Sequence, residues 1–254
     1  MKKIITVLSA FAISATTPLA PATETRASTP VSVTEYFLTC TPCETDMEGS
    51  VEDGLAFRKA LLNDDQATYY LNGTPEQPRT EYIVANIERI VDPKNGYISI
   101  SGVDNALGVT YTGAIFVDAD RKRIFAWTYE HEGGESDAHE FQFFESDGMT
   151  WQDISKRVLP AYSIKDFAIG KTEFGLNAEE ISWEIVLPRY GTTAYLIPHP
   201  SYEMSEVDEP SRIYNSYIGS NHALELRWDK KGGKFIKGKL LDLNSFNNAL
   251  KKIL

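Results

Sequence analysis

The feature of this sequence that most constrains its fold is a series of short alternating segments separated by turns, which begins at Tyr97. Apolar and polar residues that alternate with a period of two are typical of strands with one buried face. Two of these segments flank the turn DADRK, which places Ile115 opposite Phe125 and Tyr111 opposite Tyr129. The pattern therefore predicts antiparallel hairpins over most of the chain.

The hairpin segments fall into two blocks, 96–160 and 161–254, and the second block ends in an amphipathic helix that begins at Ser245. An N-terminal segment, 28–95, precedes them and contains a predicted helix at 51–62. We therefore predict an α+β, mainly β fold with two consecutive antiparallel β blocks, a short helix in the N-terminal region and a C-terminal helix. The two blocks are expected to pack as one compact domain.

Two segments before the first block are harder to interpret. The sequence VSVTEYFL at 31–38 has the β-branched and aromatic content of a strand. In 80–92, Ile83, Ile87 and Ile90 fit a helical stripe, whereas the β-branched content and the following turn DPKNG suit the first arm of a hairpin. The first segment could be the strand that a thiol-exchange fold requires before the cysteine pair, and for the second segment we predict a helix.

The N-terminus has the three parts of a secretory signal peptide. A basic start is followed by a short apolar run and by the small residues Ala20-Pro21-Ala22, which predict a signal peptide at 1–22, with cleavage after residue 27 as the alternative. No run of about 18 apolar residues is present, so we expect no transmembrane segment in the mature chain. The predicted location is periplasmic or secreted.

The charge of the chain limits the class of partner. Removing Lys2 and Lys3 with the leader takes the formal net charge from -11 to -13. A surface this negative repels phosphate backbones, so we expect no nucleic-acid partner. The composition is compatible with a protein or small-molecule ligand but identifies neither.

The two cysteines, Cys40 and Cys43, form a C-x-x-C pair. In an oxidising compartment they can close a small disulfide. A thiol-exchange function would instead require a strand before the pair and a helix directly after it, because a helix N-terminus stabilises the reactive thiolate. Gly49 and Ser50 delay the predicted helix, so the interpretation favours a structural role.

The segment 127–144 contains two histidines and several acidic residues, more potential metal ligands or catalytic groups than any other part of the sequence. If its loop turns over 133–137, His131 lies opposite His139, close enough for both imidazoles to bind one metal ion. Glu132 or Asp137 in the loop could supply a third ligand, as could Glu135.

A simpler interpretation of the same segment is a solvated hairpin tip. Gly133 and Gly134 stand among acidic residues, no H-E-x-x-H pattern is present, and a spacing of eight between histidines is not diagnostic of a metal family. The sequence favours this interpretation over a metal site, and it identifies no catalytic residue and no cofactor.

Several turn and packing motifs resemble an uncharacterised family of small secreted or periplasmic proteins of Gram-negative bacteria. The segments that carry the resemblance are NGYISISG, GMTWQDISKRVLP, LPRYGTT and WDKKGGKF, which together span 95–235. The resemblance implies an exported, β-rich protein. It implies no catalytic residue, because the family has no established activity, and it does not include the cysteine pair.

The sequence therefore predicts an exported envelope protein that acts by binding a ligand or partner and not by catalysis. Two alternatives stay open. One is a metal-assisted hydrolase that uses His131, His139 and a nearby carboxylate, and the other is a periplasmic thiol protein that uses Cys40 and Cys43.

Overall fold

The computed structural model describes residues 32–43, 51–71, 80–104, 107–132, 138–148, 150–169, 181–200, 214–215 and 217–254. The predicted signal peptide at 1–22, including the later cleavage position, lies outside these residues. In the described part of the chain no helix is long and apolar enough to cross a membrane.

Helices begin and end the described chain, and short helical segments also separate the two groups of strands between them. The helices are α1 (Val33–Thr39), α2 (Val51–Asn63), α3 (Ser155–Val158) and α4 (Leu243–Ile253), with short 3-10 helices at Thr41–Cys43 and Ile164–Asp166. The strands are β1 (Ala67–Leu71), β2 (Thr80–Asp92), β3 (Tyr97–Asp104), β4 (Leu107–Val117), β5 (Arg123–Glu132), β6 (Ala138–Ser146), β7 (Trp151–Asp153), β8 (Ile181–Val186), β9 (Thr193–Pro200), β10 (Asn221–Asp229) and β11 (Lys234–Asp242).

The strands form two antiparallel sheets in chain order. Strands β1 to β7 make the first sheet and β8 to β11 make the second sheet, each with sequential neighbours hydrogen-bonded to one another. Helix α2 lies where a helix at 51–62 was predicted, and α4 ends the chain. The predicted α+β, mainly β fold with two consecutive β blocks and a C-terminal helix is confirmed.

The predicted helix at 80–92 is wrong, because this segment is strand β2. It pairs with β1 on one side and β3 on the other, so the first sheet begins before residue 96. Ile83 and Ile90, which made the segment resemble a helix, have exposed fractions of 43% and 44%. A buried helical stripe was therefore the wrong interpretation of their spacing, and the β-branched content decided the structure.

The possible strand at 31–38 is not formed, because Val33–Thr39 forms helix α1. Ser32 accepts a hydrogen bond from the Glu35 backbone, and the Glu35 carboxylate accepts one from the Ser32 backbone. This reciprocal capping box satisfies backbone donors that the first helical turn leaves unpaired. Val33, Tyr36 and Phe37 then lie on one buried face of the helix.

Apolar clusters among the described residues lie between successive layers of the fold. The helix-side cluster, between the first sheet and helices α1 and α2, includes Tyr36, Phe37, Phe57, Ile98, Ile100, Phe125, Trp127 and Phe144. The inter-sheet cluster includes Phe116, Ile124, Ala126, Phe143, Ile185, Leu196, Leu226 and Phe235. The C-terminal cluster, beneath α4, includes Tyr195, Ile197, Ala223, Phe246 and Ile253. The protein therefore has four layers: helices, the first sheet, the second sheet and helix α4.

Candidate metal centre

The hairpin of β5 and β6 carries the two histidines that the sequence singled out. In the observed register Glu130 lies opposite His139, and His131 lies opposite Ala138. The predicted pairing of His131 with His139 is therefore wrong by one residue. Because successive side chains on a strand alternate between faces, this one-residue difference puts the two imidazoles on opposite faces of the first sheet.

The aromatic residues of β6 explain why the sequence could not fix this register. Phe143, paired with Ala126, packs into the inter-sheet cluster. Phe144, paired with Phe125, packs into the helix-side cluster. Both faces of the strand carry aromatic side chains, so either register buries an aromatic residue.

The two predicted histidine ligands are not brought together. His131 stacks on Tyr129, with ring centroids 6.4 Å apart and ring planes 10° from parallel. Glu132 ends strand β5, where the structure defines only its backbone, and Asp137 lies outside the described residues. Of the two predicted histidine ligands, His139 is the one that contacts the second sheet.

His139 stacks on His199 of the second sheet, with ring centroids 4.6 Å apart and ring planes 16° from parallel. His199 Nε2 lies 2.7 Å from the Oε2 atom of Glu184. One ligand atom of each of His139, Glu184 and His199 lies within 4.8 Å of those of the other two. We refer to these three residues as the His139–Glu184–His199 cluster.

The register of β8 and β9 places two of the three ligands next to each other. Glu184 lies opposite Ile197 and Ser182 opposite His199, so Glu184 and His199 are diagonal neighbours on one face. Diagonal neighbours are within reach of one another when their side chains are long. The short distance between imidazole and carboxylate follows from this register.

Prolines flank His199 in the sequence Pro198-His199-Pro200 without interrupting strand β9. Proline lacks a backbone donor, so it is tolerated in a strand only where no neighbour requires that donor. The pairing of β9 with β10 extends only from Thr193 to Leu196. Beyond Leu196 the prolines therefore do not remove a ladder hydrogen bond to β10.

The cluster is partly shielded from solvent. The side chains of His199 and Glu184 have exposed fractions of 34% and 17%. Burial lowers the pKa of His222 on β10, which lies against Phe246, and the neighbouring His199 lowers it further. A third imidazole therefore borders the cluster without being one of its three ligands.

Two imidazoles and one carboxylate form a donor set that suits a borderline divalent transition metal. Zn²⁺ is held by such His and Glu ligands at about 2.0–2.2 Å. Tetrahedral geometry at those bond lengths puts ligand atoms about 3.4 Å apart. The 2.7 Å between His199 Nε2 and Glu184 Oε2 would have to open slightly, and a ligand atom of His139 already lies within 4.8 Å of the other two, so small side-chain rotations can supply this geometry.

Sequence reasoning missed Glu184 and His199. His199 stands between two prolines and resembled a loop residue, and Glu184 is one of 36 acidic residues. The alternation of Tyr195, Ile197 and His199 along β9 was the available signal, since it places the histidine on the same face as two buried side chains.

The cysteine pair forms a disulfide between Cys40 and Cys43, as expected. Both residues are buried, Cys40 is the C-cap of α1, and the Arg58 guanidinium donates a hydrogen bond to the Cys40 carbonyl. This is the opposite end of a helix from the one that stabilises a reactive thiolate. The geometry suits a structural bond.

A half-open cleft lies elsewhere, between α4 and the outer face of the second sheet. Its volume is about 440 Å³, and its lining includes Tyr190, Tyr195, Glu225, Lys239, Asn248 and Lys252. None of the histidines lines this cleft. It is therefore a separate feature from the His139–Glu184–His199 cluster.

Comparison with known proteins supports the architecture. No family model matches the chain, and no curated protein matches it. A domain of an uncharacterized protein from Porphyromonas gingivalis W83 has a similar fold, with a TM-score of 0.51 and 12% sequence identity over 81% of this chain and 97% of that chain. At this identity the similarity shows the fold alone.

Proposed function

We propose that this is an exported protein that binds a divalent transition-metal ion and acts by binding, not by turnover. The observation that carries the proposal is the convergence of His139, Glu184 and His199, whose ligand atoms lie within 4.8 Å of one another. Side chains from three different strands meet at this point. Neutral imidazole and carboxylate are ligands that zinc, nickel and copper accept readily.

The donor atoms of the cluster favour transition metals over calcium or magnesium. Ca²⁺ takes six to eight oxygen ligands, and Mg²⁺ prefers an octahedral set of oxygens. Two of the three donors here are imidazole nitrogens, which suit zinc, copper and nickel. We therefore expect zinc to bind with much higher affinity than calcium or magnesium.

The test is metal binding by the purified mature chain. Isothermal titration with Zn²⁺ after chelator treatment is expected to give one site per chain, and the variants His139→Ala and Glu184→Gln are expected to weaken it by about tenfold or more, since each removes one of three ligands. His131→Ala is the matched control and is expected to bind like the wild type. Equal zinc binding by all four proteins would refute the site.

Export is part of the same proposal. The leader at 1–22 supports it, and the Cys40–Cys43 disulfide suits an oxidising compartment. Cell fractionation with intact-mass analysis tests it. The expected result is a mature chain outside the cytoplasm that lacks 22 or 27 residues, and an uncleaved cytoplasmic chain would contradict export.

A second candidate is metal-assisted hydrolysis, which the ligand set itself favours. Catalytic zinc sites use three protein ligands, including His₂Glu sets, and keep a position for water. The zinc-loaded protein would then hydrolyse activated ester or amide substrates at a rate that His199→Ala abolishes. A zinc-loaded protein with no turnover across such substrates would leave binding as the function.

A further inference from the structure

The ligands of the His139–Glu184–His199 cluster do not come from one sheet. His139 lies on β6 of the first sheet, whereas Glu184 and His199 lie on β8 and β9 of the second sheet. The stacked rings of His139 and His199 are therefore a direct contact between the sheets. An ion held by all three residues would be bonded to both sheets at once.

Aromatic side chains on the strands that carry the ligands form a second contact between the sheets. Phe141 lies two residues from His139 on β6, and Trp183 precedes Glu184 on β8. Tyr162 bridges them, with ring centroids 6.5 Å from Phe141 and 4.9 Å from Trp183. All three rings pack against the inter-sheet cluster, so β6 and β8, the strands that carry His139 and Glu184, are packed against each other at this point.

We propose that the bound ion ties the two sheets together, so that metal binding and the packing of β6 against β8 are coupled. This inference rests on the proposed metal binding and adds what the ion does to the protein. An ion that binds only the packed state stabilises that state by mass action. Coupling is reciprocal, so any change that loosens the packing must also weaken metal affinity.

The competing arrangement is an ion held by the second sheet alone. Glu184 and His199 are adjacent there and could bind a metal without His139. In that arrangement β6 would not respond to the ion, and removing His139 would leave the stabilisation intact. The two arrangements therefore differ in what happens on the first sheet.

Hydrogen–deuterium exchange with and without Zn²⁺ separates them. We expect zinc to slow exchange in 138–143 of β6 as well as in β8 and β9. Zinc at a hundredfold excess over Kd is expected to raise the Tm by about 5–10 °C. In His139→Ala the protection of β6 and most of the Tm rise are expected to disappear, while His131→Ala keeps both.

A second variant tests the reciprocal effect without touching a ligand. Phe141→Leu removes the ring that contacts Tyr162 and is expected to weaken zinc affinity by about fivefold or more. His139→Gln serves as a milder ligand variant if the alanine variant folds poorly. Zinc affinity that is unchanged in Phe141→Leu would overturn the coupling.

The outcomes distinguish this inference from the proposed function. If the wild type binds no zinc, both fail. If it binds one zinc ion but protection is confined to β8 and β9, metal binding stands and the coupling between sheets is refuted. Protection on both sheets that depends on His139 supports the coupling.

Discussion

The two faces of the first sheet are covered in different ways. On one face, helices α1 and α2 cover an aromatic cluster, and the ring of Tyr36 lies 5.5 Å from that of Phe125. On the other face the second sheet provides the cover, and the ring of Phe143 lies 5.6 Å from that of Phe235. The helices that cover the first face precede the sheet in the chain. The strands that cover the other face come after residue 180.

This difference separates structural from ligand-binding features. The helix-covered face holds the disulfide, the capping box of α1 and the buried Arg58. The cluster of His139, Glu184 and His199 lies where β6 of the first sheet contacts β8 and β9 of the second sheet, and its members are at least 15 residues apart in sequence. We infer that the helix-covered face mainly provides stability, whereas the proposed function depends on the contact between sheets.

The largest expected effect compares one core aromatic residue on each face. Phe125→Ala and Phe143→Ala each remove a fully buried ring and are expected to lower the free energy of unfolding by about 3–5 kcal/mol. Only Phe143→Ala is expected to weaken zinc affinity as well, because that ring lies between the sheets. Urea denaturation followed by zinc titration measures both quantities.

Phe125→Ala is the control for general loosening of the fold. If both variants lose zinc affinity to the same extent, the loss reports lower stability and not the packing between sheets. A normal zinc affinity in Phe143→Ala would show that the two faces do not differ in this respect.

Much of the fold could be predicted from the sequence because hairpin signals are local. Ile115 pairs with Phe125 and Tyr111 with Tyr129 as expected, since the turn between their strands is short and fixes the register. The interpretation of 80–92 was wrong because isoleucines at a helical spacing also fit a strand with exposed residues. The possible strand at 31–38 is not formed because a capping box outweighed β-branched content.

The candidate site could not be predicted in the same way. Its residues come from two sheets, and no local pattern indicates that His139 and His199, 60 positions apart, share a contact. Even within the hairpin of β5 and β6, the register depended on whether Phe143 or Phe144 faces the second sheet. Only His139 among the proposed ligands carried a signal strong enough to be singled out.

An intermediate effect is expected from the disulfide on the helix-covered face. Replacing Cys40 and Cys43 by serine opens a loop of four residues, and the loop-entropy relation gives a loss of about 2 kcal/mol in the free energy of unfolding. Zinc affinity is expected to stay unchanged, because the bond lies on the face away from the cluster. Urea denaturation and zinc titration of the double variant test this, and a large loss of zinc affinity would contradict the separation of the two faces.

The smallest expected effect concerns an ion pair that also joins the sheets. Arg189, in the turn between β8 and β9, lies 3.0 Å from the carboxylate of Asp92 at the end of β2. Hydrogen bonds from Asn95 and then from Arg189 lower the pKa of Asp92 below its ordinary value of 3.8. A lowered pKa means that this stabilisation is present above pH 3.8 and is lost as the pH falls through the folded-state pKa.

Asp92→Asn is therefore expected to lower the Tm by no more than about 2 °C at pH 7, because ion pairs that keep contact with solvent contribute little. The difference from the wild type is expected to shrink as the pH falls below 3.8, because the carboxylate is protonated first in the unfolded state and, at still lower pH, in the folded state. Thermal melts at pH 7 and pH 3 measure the change. A difference of the same size at both pH values would mean that Asp92 contributes through packing and not through charge. The proposed metal ion would then be the stronger candidate for an electrostatic link between the two sheets.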